Sequence, residues 1–429
     1  MRPAYRRLVG RRIVLAGLVF LALSGLFHLD PLGFLRAMTK SRQSQILSLD
    51  GTTYEGGGGL IRYALAYACI LNRPIRIHSI RANRPGVGGL RPEHTVAVAT
   101  MGELSSAVVT GNLPASREMT FTPHADSDAS KRPLSPKMDI TVEGSASIFL
   151  IAMLPYMLFS NLASKPYHFH PRFDDKTEIE LTIRAGTLCV KAPSIFYMHQ
   201  VFLPTMESIG ITGEHLSIDR ENEQGWHTEN KKYPGKMVAR IKPLSKNLPG
   251  FVLKHRGRVR TIRVTAHVPK HALKHFKKTL EAEMAGTIST EDNRAELIVD
   301  VFASVPNDQY HLLMVATTEA PAAYLGYEQV YPQSDVFSKE IEGDNSKIAI
   351  QLIRSCIHGL WAELRHGNAV DEHMEDIMVM YQSLASGFSS VTAKENQIPV
   401  PELNMEAPAL SMWKFDPSLD PLRPINANL

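Results

Sequence analysis

The stretch Leu49-Asp50-Gly51, followed two residues later by Tyr54-Glu55-Gly56-Gly57-Gly58-Gly59-Leu60-Ile61-Arg62, decides how this 429-residue chain is read. Four successive glycines run straight into an apolar helix. Glycine has no Cβ, so such a turn reaches positive φ and leaves its backbone amides open to an anion. The helix that follows points its partial positive end at the same spot. A tight loop without chemistry has the same composition, so the run alone leaves both readings open.

A second segment about twenty residues on narrows the choice. Residues 80–94 read Ile80-Arg81-Ala82-Asn83-Arg84-Pro85-Gly86-Val87-Gly88-Gly89-Leu90-Arg91-Pro92-Glu93-His94 and lead into the apolar Val96-Ala97-Val98-Ala99. Arginines on a loop present forked donors suited to phosphate. Together the two segments resemble the first-domain motifs of the RNA 3'-terminal phosphate cyclase family, L-D-G...E-G-G-G-Q...R and I-R...R...P-G-L-x-x-Q-H. The resemblance continues through Gly144-Ser145-Ala146-Ser147 with Leu154-Pro155, and Ala192-Pro193-Ser194-Ile195-Phe196-Tyr197 with Leu203-Pro204. It ends with His255-Arg256-Gly257 and then Asp371-Glu372-His373-Met374-Glu375-Asp376, similar to the family's D-E-Y-x-x-D helix. Order and spacing agree over roughly residues 45–390.

The resemblance implies an α/β (α+β) fold, a large domain of repeated βαβαββ units carrying a smaller inserted α/β domain. The expected division is an extension over 1–40, the large domain over 45–249 and 331–393, the insert over 250–330 and a proline-rich tail over 394–429. It also implies a chemistry. ATP and a divalent metal (Mg or Mn) adenylate a histidine, AMP passes to an RNA 3'-phosphate, and the neighbouring 2'-hydroxyl closes a 2',3'-cyclic phosphate. Glu55, Gly56, Gly57, Gly58, Arg62, Arg81, Arg84, Pro193, His373 and Asp376 stand at the implied nucleotide and phosphate contacts, with Glu55 at the implied metal.

Several positions depart from that pattern. The family's nucleophilic histidine is expected some twenty-five residues past the D-E-Y position, where the chain reads Ala393-Lys394-Glu395-Asn396-Gln397, and no histidine follows His373 in the sequence. Amides expected in the site are replaced by Gly59, Glu93 and Ile151, an acid by Phe196, and the tyrosine by His373. Replacing an amide with Gly or Ile removes its hydrogen-bonding groups altogether. Three readings follow: an RNA-end binder related to the family's inactive branch in ribosomal RNA processing; an active cyclase with His94 or His373 as substitute nucleophile; or a membrane-tethered interaction protein that keeps only the fold.

Composition sets the remaining bounds. A hydrophobic content of 44% supports a large core, and a net charge of +4 permits RNA as a partner without demanding it. Arg256, Arg258 and Arg260 alternate as on one strand face, a pattern suited to tracking phosphates. Lys274, Lys277 and Lys278 read as a solvated helix face. Cys69, Cys189 and Cys356 form no C-x-x-C pair, so no disulfide partner and a reducing compartment are expected. His168 and His170 read as strand alternation, and His271 with His275 as one helical face. On the helix after Asp371, its N-cap, Met374, Ile377, Met378, Tyr381 and Leu384 mark the apolar face and His373, Asp376 and Met380 the adjacent one. Five arginines within residues 1–12 precede the apolar run 13–27, which reads as a signal, anchor or mitochondrial presequence. The expected location is nuclear, nucleolar or cytoplasmic, with a mitochondrial or membrane-anchored alternative.

Overall fold

The computed structural model describes residues 46–53, 57–84, 86–219, 225, 235–254, 256–285, 295–304, 309–319, 321–331 and 343–391. Glu55, Gly56 and His255, the apolar run 13–27 and the tail beyond 391 lie outside the described residues.

The first unit is β1 (Leu47–Asp50), α1 (Gly58–Ile70), β2 (Ile75–His78), α2 (Pro92–Leu104), β3 (Val108–Thr110) and β4 (Met119–Thr122), with strand order β1-β2-β4-β3. β1 and β2 run parallel and β4 returns antiparallel to both β2 and β3. After the short α3 (Ser127–Lys131), the second unit repeats this plan. It comprises β5 (Lys137–Ser145), α4 (Ala146–Tyr167), β6 (Ile179–Gly186), then α5 (Ile195–Tyr197), a π turn at Met198–Phe202 and α6 (Leu203–Ser208), and finally β7 (Leu216–Ile218) and β8 (Gly235–Ile241). Its order, β5-β6-β8-β7, reproduces the first sheet. The mixed α/β fold expected from the sequence is therefore present, with two complete βαβαββ copies among the described residues.

Both sheets close on a shared core. Every residue of α1 from Ala64 to Ile70 is buried, and α4 is apolar enough by length and composition to cross a membrane yet lies inside the protein. Ser145 caps α4 by accepting from the Ile148 amide. His168 ends α4 in the left-handed conformation at φ 54°, so the alternation read at His168 and His170 is a helix cap and not a strand.

The third sheet has a different plan. β9 (Val259–Val268), α7 (Leu273–Ala285), β10 (Glu296–Ala303), β11 (Tyr310–Thr318) and β12 (Tyr324–Tyr331) give the order β10-β9-β11-β12. α8 (Asn345–Arg365) closes its core, since Ile348, Leu352, Ile353, Cys356 and Leu360 pack with Val264, Phe276 and Leu325. Packing thus carries this unit past the expected limit of 330, because α8 covers the apolar face of the sheet. Alternate residues of β11 serve different cores: Leu312, Met314 and Ala316 face α8, while Leu313 and Val315 belong to the large core. α9 (Glu372–Leu384) follows, flanked by parallel bridges Pro249↔Ser386 and Val252↔Ser390.

Candidate phosphate site and its walls

The two motif loops meet at the ends of β1 and β2. Gly51 is required there, because a Cβ on it would lie 2.6 Å from the Ser79 carbonyl oxygen. Asn83 donates to the Thr52 carbonyl at 3.0 Å, tying the arginine loop to the segment before the glycines. Arg81 sits at φ 56°, in the left-handed region, and its carbonyl accepts from the Arg84 amide. This turn points the arginines back across the start of α1.

At that helix start the side chains converge. A Cβ built on Gly57 would lie 2.7 Å from Arg84 Nη2, and one on Gly58 would lie 2.6 Å from His94 Nε2 and 2.9 Å from Arg62 Nη1. The space a side chain would take is therefore ringed by two guanidiniums and an imidazole, beside the positive end of α1. Arg81 is buried, its Nε has no hydrogen-bond partner, and burial followed by Arg91 pulls its affinity for the proton down. A buried donor without a partner, set among cations, is a cradle whose chemistry suits an anion.

His94 has a defined role in this cradle. It lies in the first turn of α2, where its Nδ1 accepts from the Arg91 backbone amide at 3.1 Å. Burial, then Arg62, Arg81 and Arg91, pushes its pKa down to about 3, so the ring is neutral. With Nδ1 accepting, the single proton is on Nε2, and that N–H points at the cradle. Such a ring offers an N–H donor at this spot, and that nitrogen has no free lone pair for nucleophilic attack.

A second set of buried polar contacts joins α9 and the loop before α5. Asp371 caps α9 by accepting from the Met374 amide at 3.0 Å. The same buried carboxylate accepts from Tyr197 Oη at 2.5 Å and from the Gly326 amide at 2.7 Å. Burial raises its pKa, and nearby His373 opposes that shift. The His373 ring meets Tyr197 edge-on, 5.8 Å between centroids. Tyr63 Oη donates to the Asp376 carbonyl at 2.9 Å, so α9 packs along the α1 helix that begins at the cradle. Five residues separate Gly58 from Tyr63, an axial rise of about 8 Å. Pro193 faces the start of α4, its carbonyl accepting from Ser147 Oγ at 2.5 Å.

Gly57, Gly58, Arg62, Arg84 and His94 are thus brought together, with Arg81 beside them, while His373, Asp376 and Pro193 stand on α9 and the loop before α5. Met380, expected on the cleft side of α9, is buried with Val379, because the second half of that helix is enclosed on every side. The arginine row is not a strand face. β9 begins only at Val259, Arg256 Nε donates to the Leu364 carbonyl at the end of α8, and Arg260 pairs with Glu319 at 3.0 Å. Arg258 lies before the strand, and its carbonyl accepts from the Glu319 amide. The lysines of α7 are exposed, as a solvated face requires. Sequence reasoning missed Arg91, whose amide fixes the His94 tautomer, and Gly326 and Glu328, which come from the distant β12. The Pro92 that starts α2 was the available signal for Arg91.

A profile of the RNA 3'-terminal phosphate cyclase family matches residues 53–400. The chain belongs to this family. It is 28% identical over 354 residues to the RNA 3'-terminal phosphate cyclase of Desulfurococcus amylolyticus, covering 81% of this chain and 87% of that one. It is 28% identical to that of Staphylothermus marinus over 357 residues, covering 80% and 86%. The Drosophila melanogaster protein of the same name is 26% identical over 384 residues, covering 88% of this chain and 94% of the relative. The matched span, residues 53–400, contains Gly57, Gly58, Arg62, Arg81, Arg84 and His94.

Among the described residues no group of three or more His, Cys, Asp or Glu side chains is placed to hold a metal ion, and Glu55 lies outside them. The donor set suits the phosphates of ATP: Arg81 Nε lacks a hydrogen-bond partner, and Arg84, Arg62 and His94 crowd close over Gly57 and Gly58.

Proposed function

We propose that this protein binds RNA 3' ends that carry a terminal phosphate, and that it serves RNA processing as an end-recognition protein with impaired cyclisation. The observation that carries the reading is the cradle of Gly57, Gly58, Arg62, Arg81, Arg84 and His94, in which His94 presents a proton and not a lone pair. The sequence adds that no histidine follows His373. Phosphate binding needs only the donors, whereas adenylation needs a nucleophile. ATP, when bound, would supply the activating adenylyl group; Gly57, Gly58, Arg62, Arg81 and Arg84 would hold its phosphates and Pro193 the other wall. Ribosomal RNA is one substrate class consistent with this role.

The test is binding of matched oligoribonucleotides with a 3'-phosphate or a 3'-hydroxyl to the chain lacking residues 1–40. A preference of about tenfold or more for the phosphate is expected, from one to two charge-assisted contacts. Equal affinity would refute end recognition. A second reading, an active cyclase using His373, has one observation in its favour: the ring is partly exposed and stands edge-on to Tyr197, close to the buried Asp371. Incubation with labelled ATP distinguishes them. Acid-labile protein-AMP lost in His373→Ala would establish the second reading and displace the first.

A further inference from the structure

Strand β12 of the third sheet reaches α9 and the loop before α5 at two positions, two residues apart. The Gly326 amide donates to Asp371 Oδ2, on the helix of His373. Glu328 accepts from the Ser194 amide at 2.8 Å, next to Pro193. Its other oxygen accepts from His311 Nε2 at 2.9 Å, and both side chains are nearly inaccessible, at 7% and 0%. Ser194 in turn caps α5 through its hydroxyl to the Tyr197 amide at 3.1 Å, and Tyr197 completes the circuit to Asp371. The unit is seated firmly. Gln200, in the π turn, donates to Thr265 of β9, and Phe196 stacks on His267 at 4.4 Å. Gly326 lies so close to Tyr197 and Val201 that a Cβ there would be 2.9 Å from each.

We propose that Glu328 is a positioning residue for nucleotide binding: from the third sheet it fixes the turn at Pro193 and Ser194, and so sets the wall against which a nucleotide rests. A buried carboxylate shared between a loop amide and a histidine holds both only while its length and its two acceptors are kept. The phosphate cradle stands on α1, α2 and the arginine loop, none of which Glu328 touches. The wall and the cradle should therefore respond separately. The inference rests on reading Pro193 as part of the nucleotide wall.

The experiment uses the full chain with Glu328→Ala, Glu328→Asp and Glu328→Gln, and measures the Kd for ATP and the ratio of Kd values for 3'-hydroxyl and 3'-phosphate RNA. Glu328→Ala is expected to weaken ATP about tenfold, the loss when a buried amide is left without its acceptor, with the RNA ratio unchanged. Glu328→Asp, which retracts the carboxylate by one methylene, should weaken ATP likewise and serves if the alanine variant does not fold. Glu328→Gln keeps length and an acceptor for Ser194, and should restore ATP binding to within about threefold of the parent. Unchanged ATP affinity in both shortened variants, or an RNA ratio that collapses with it, would overturn the proposal. So would a parent chain that prefers the 3'-phosphate yet does not bind ATP, which leaves the cradle reading standing. ATP binding that follows Glu328 in a chain without phosphate preference would uphold Glu328 and sink the reading of the cradle as a site for RNA 3' ends.

Discussion

Gly58→Ala separates the binding site from the fold that carries it. The new Cβ would lie 2.6 Å from His94 Nε2 and 2.9 Å from Arg62 Nη1, both well inside van der Waals contact. Arg62 has a flexible stem and can swing away. His94 cannot, because the ring is 6% exposed and held by the Arg91 amide. The methyl group therefore forces the Arg62 guanidinium, and the helix start against the His94 ring, out of the positions from which they would meet a phosphate. Gly58 is the first residue of α1 and its φ is not positive, so alanine suits the backbone, and helix propensity favours it by up to about 1 kcal/mol. Losing one charge-assisted contact costs roughly 1.5–3 kcal/mol, which lowers affinity for 3'-phosphate RNA by about ten- to a hundredfold. Fluorescence anisotropy with phosphate- and hydroxyl-ended RNA, alongside a melting curve, reads both quantities. Gly59→Ala is the internal control, since its Cβ would meet nothing within 4 Å. The cradle is refuted if Gly58→Ala retains the phosphate preference with its melting temperature intact, or if Gly59→Ala loses it equally.

Three further outcomes are expected. Arg81→Ala should weaken 3'-phosphate RNA about tenfold while barely affecting the hydroxyl form, whereas Lys277→Ala on the exposed face of α7 should act on both alike, as titrations at two salt concentrations would show. Imidazole nitrogen NMR should find His94 neutral at pH 5.5 with its proton on Nε2; a charged ring or an Nδ1–H would remove it as the phosphate donor. Burial first, then Asp371 and Glu372, raises Glu363 to about 8, so this acid stays protonated in the fold while the unfolded chain ionises it above about 4.5. The unfolded state then holds fewer protons between those values, and stability falls as pH rises from about 4.5 to 8. Partial exposure of Glu363 limits the effect to about 1–3 kcal/mol, and Glu363→Gln should flatten that decline in melting temperature between pH 5 and 8.

The glycine loop, Arg62, Arg81, Arg84 and His94 were legible because their chemistry is local: turn residues, forked donors and a helix start all lie within one βαβ segment. The proton on His94 was not, since it depends on one backbone amide at the N-cap of α2. Glu328 and Gly326 were invisible for a different reason. Their partners, Ser194 and Asp371, are 134 and 45 residues away, and only the docking of the third sheet brings them together. The arginine alternation at 256–260 misled because period two says nothing about where a strand starts; Arg256 is instead taken up by the end of α8. The expected limit at residue 330 overlooked α8, whose apolar stripe has no other sheet to cover.

β11 gives one side of its pleat to the sheet's own core and the other to the large core, through Leu313 and Val315. A piece of chain that contributes to two interiors cannot leave one without opening the other. Heating should therefore produce a single calorimetric transition across both units. Trimming the inserted unit to a short linker would leave a hole in the remaining protein, so evolution could vary its surface freely but could not easily discard it.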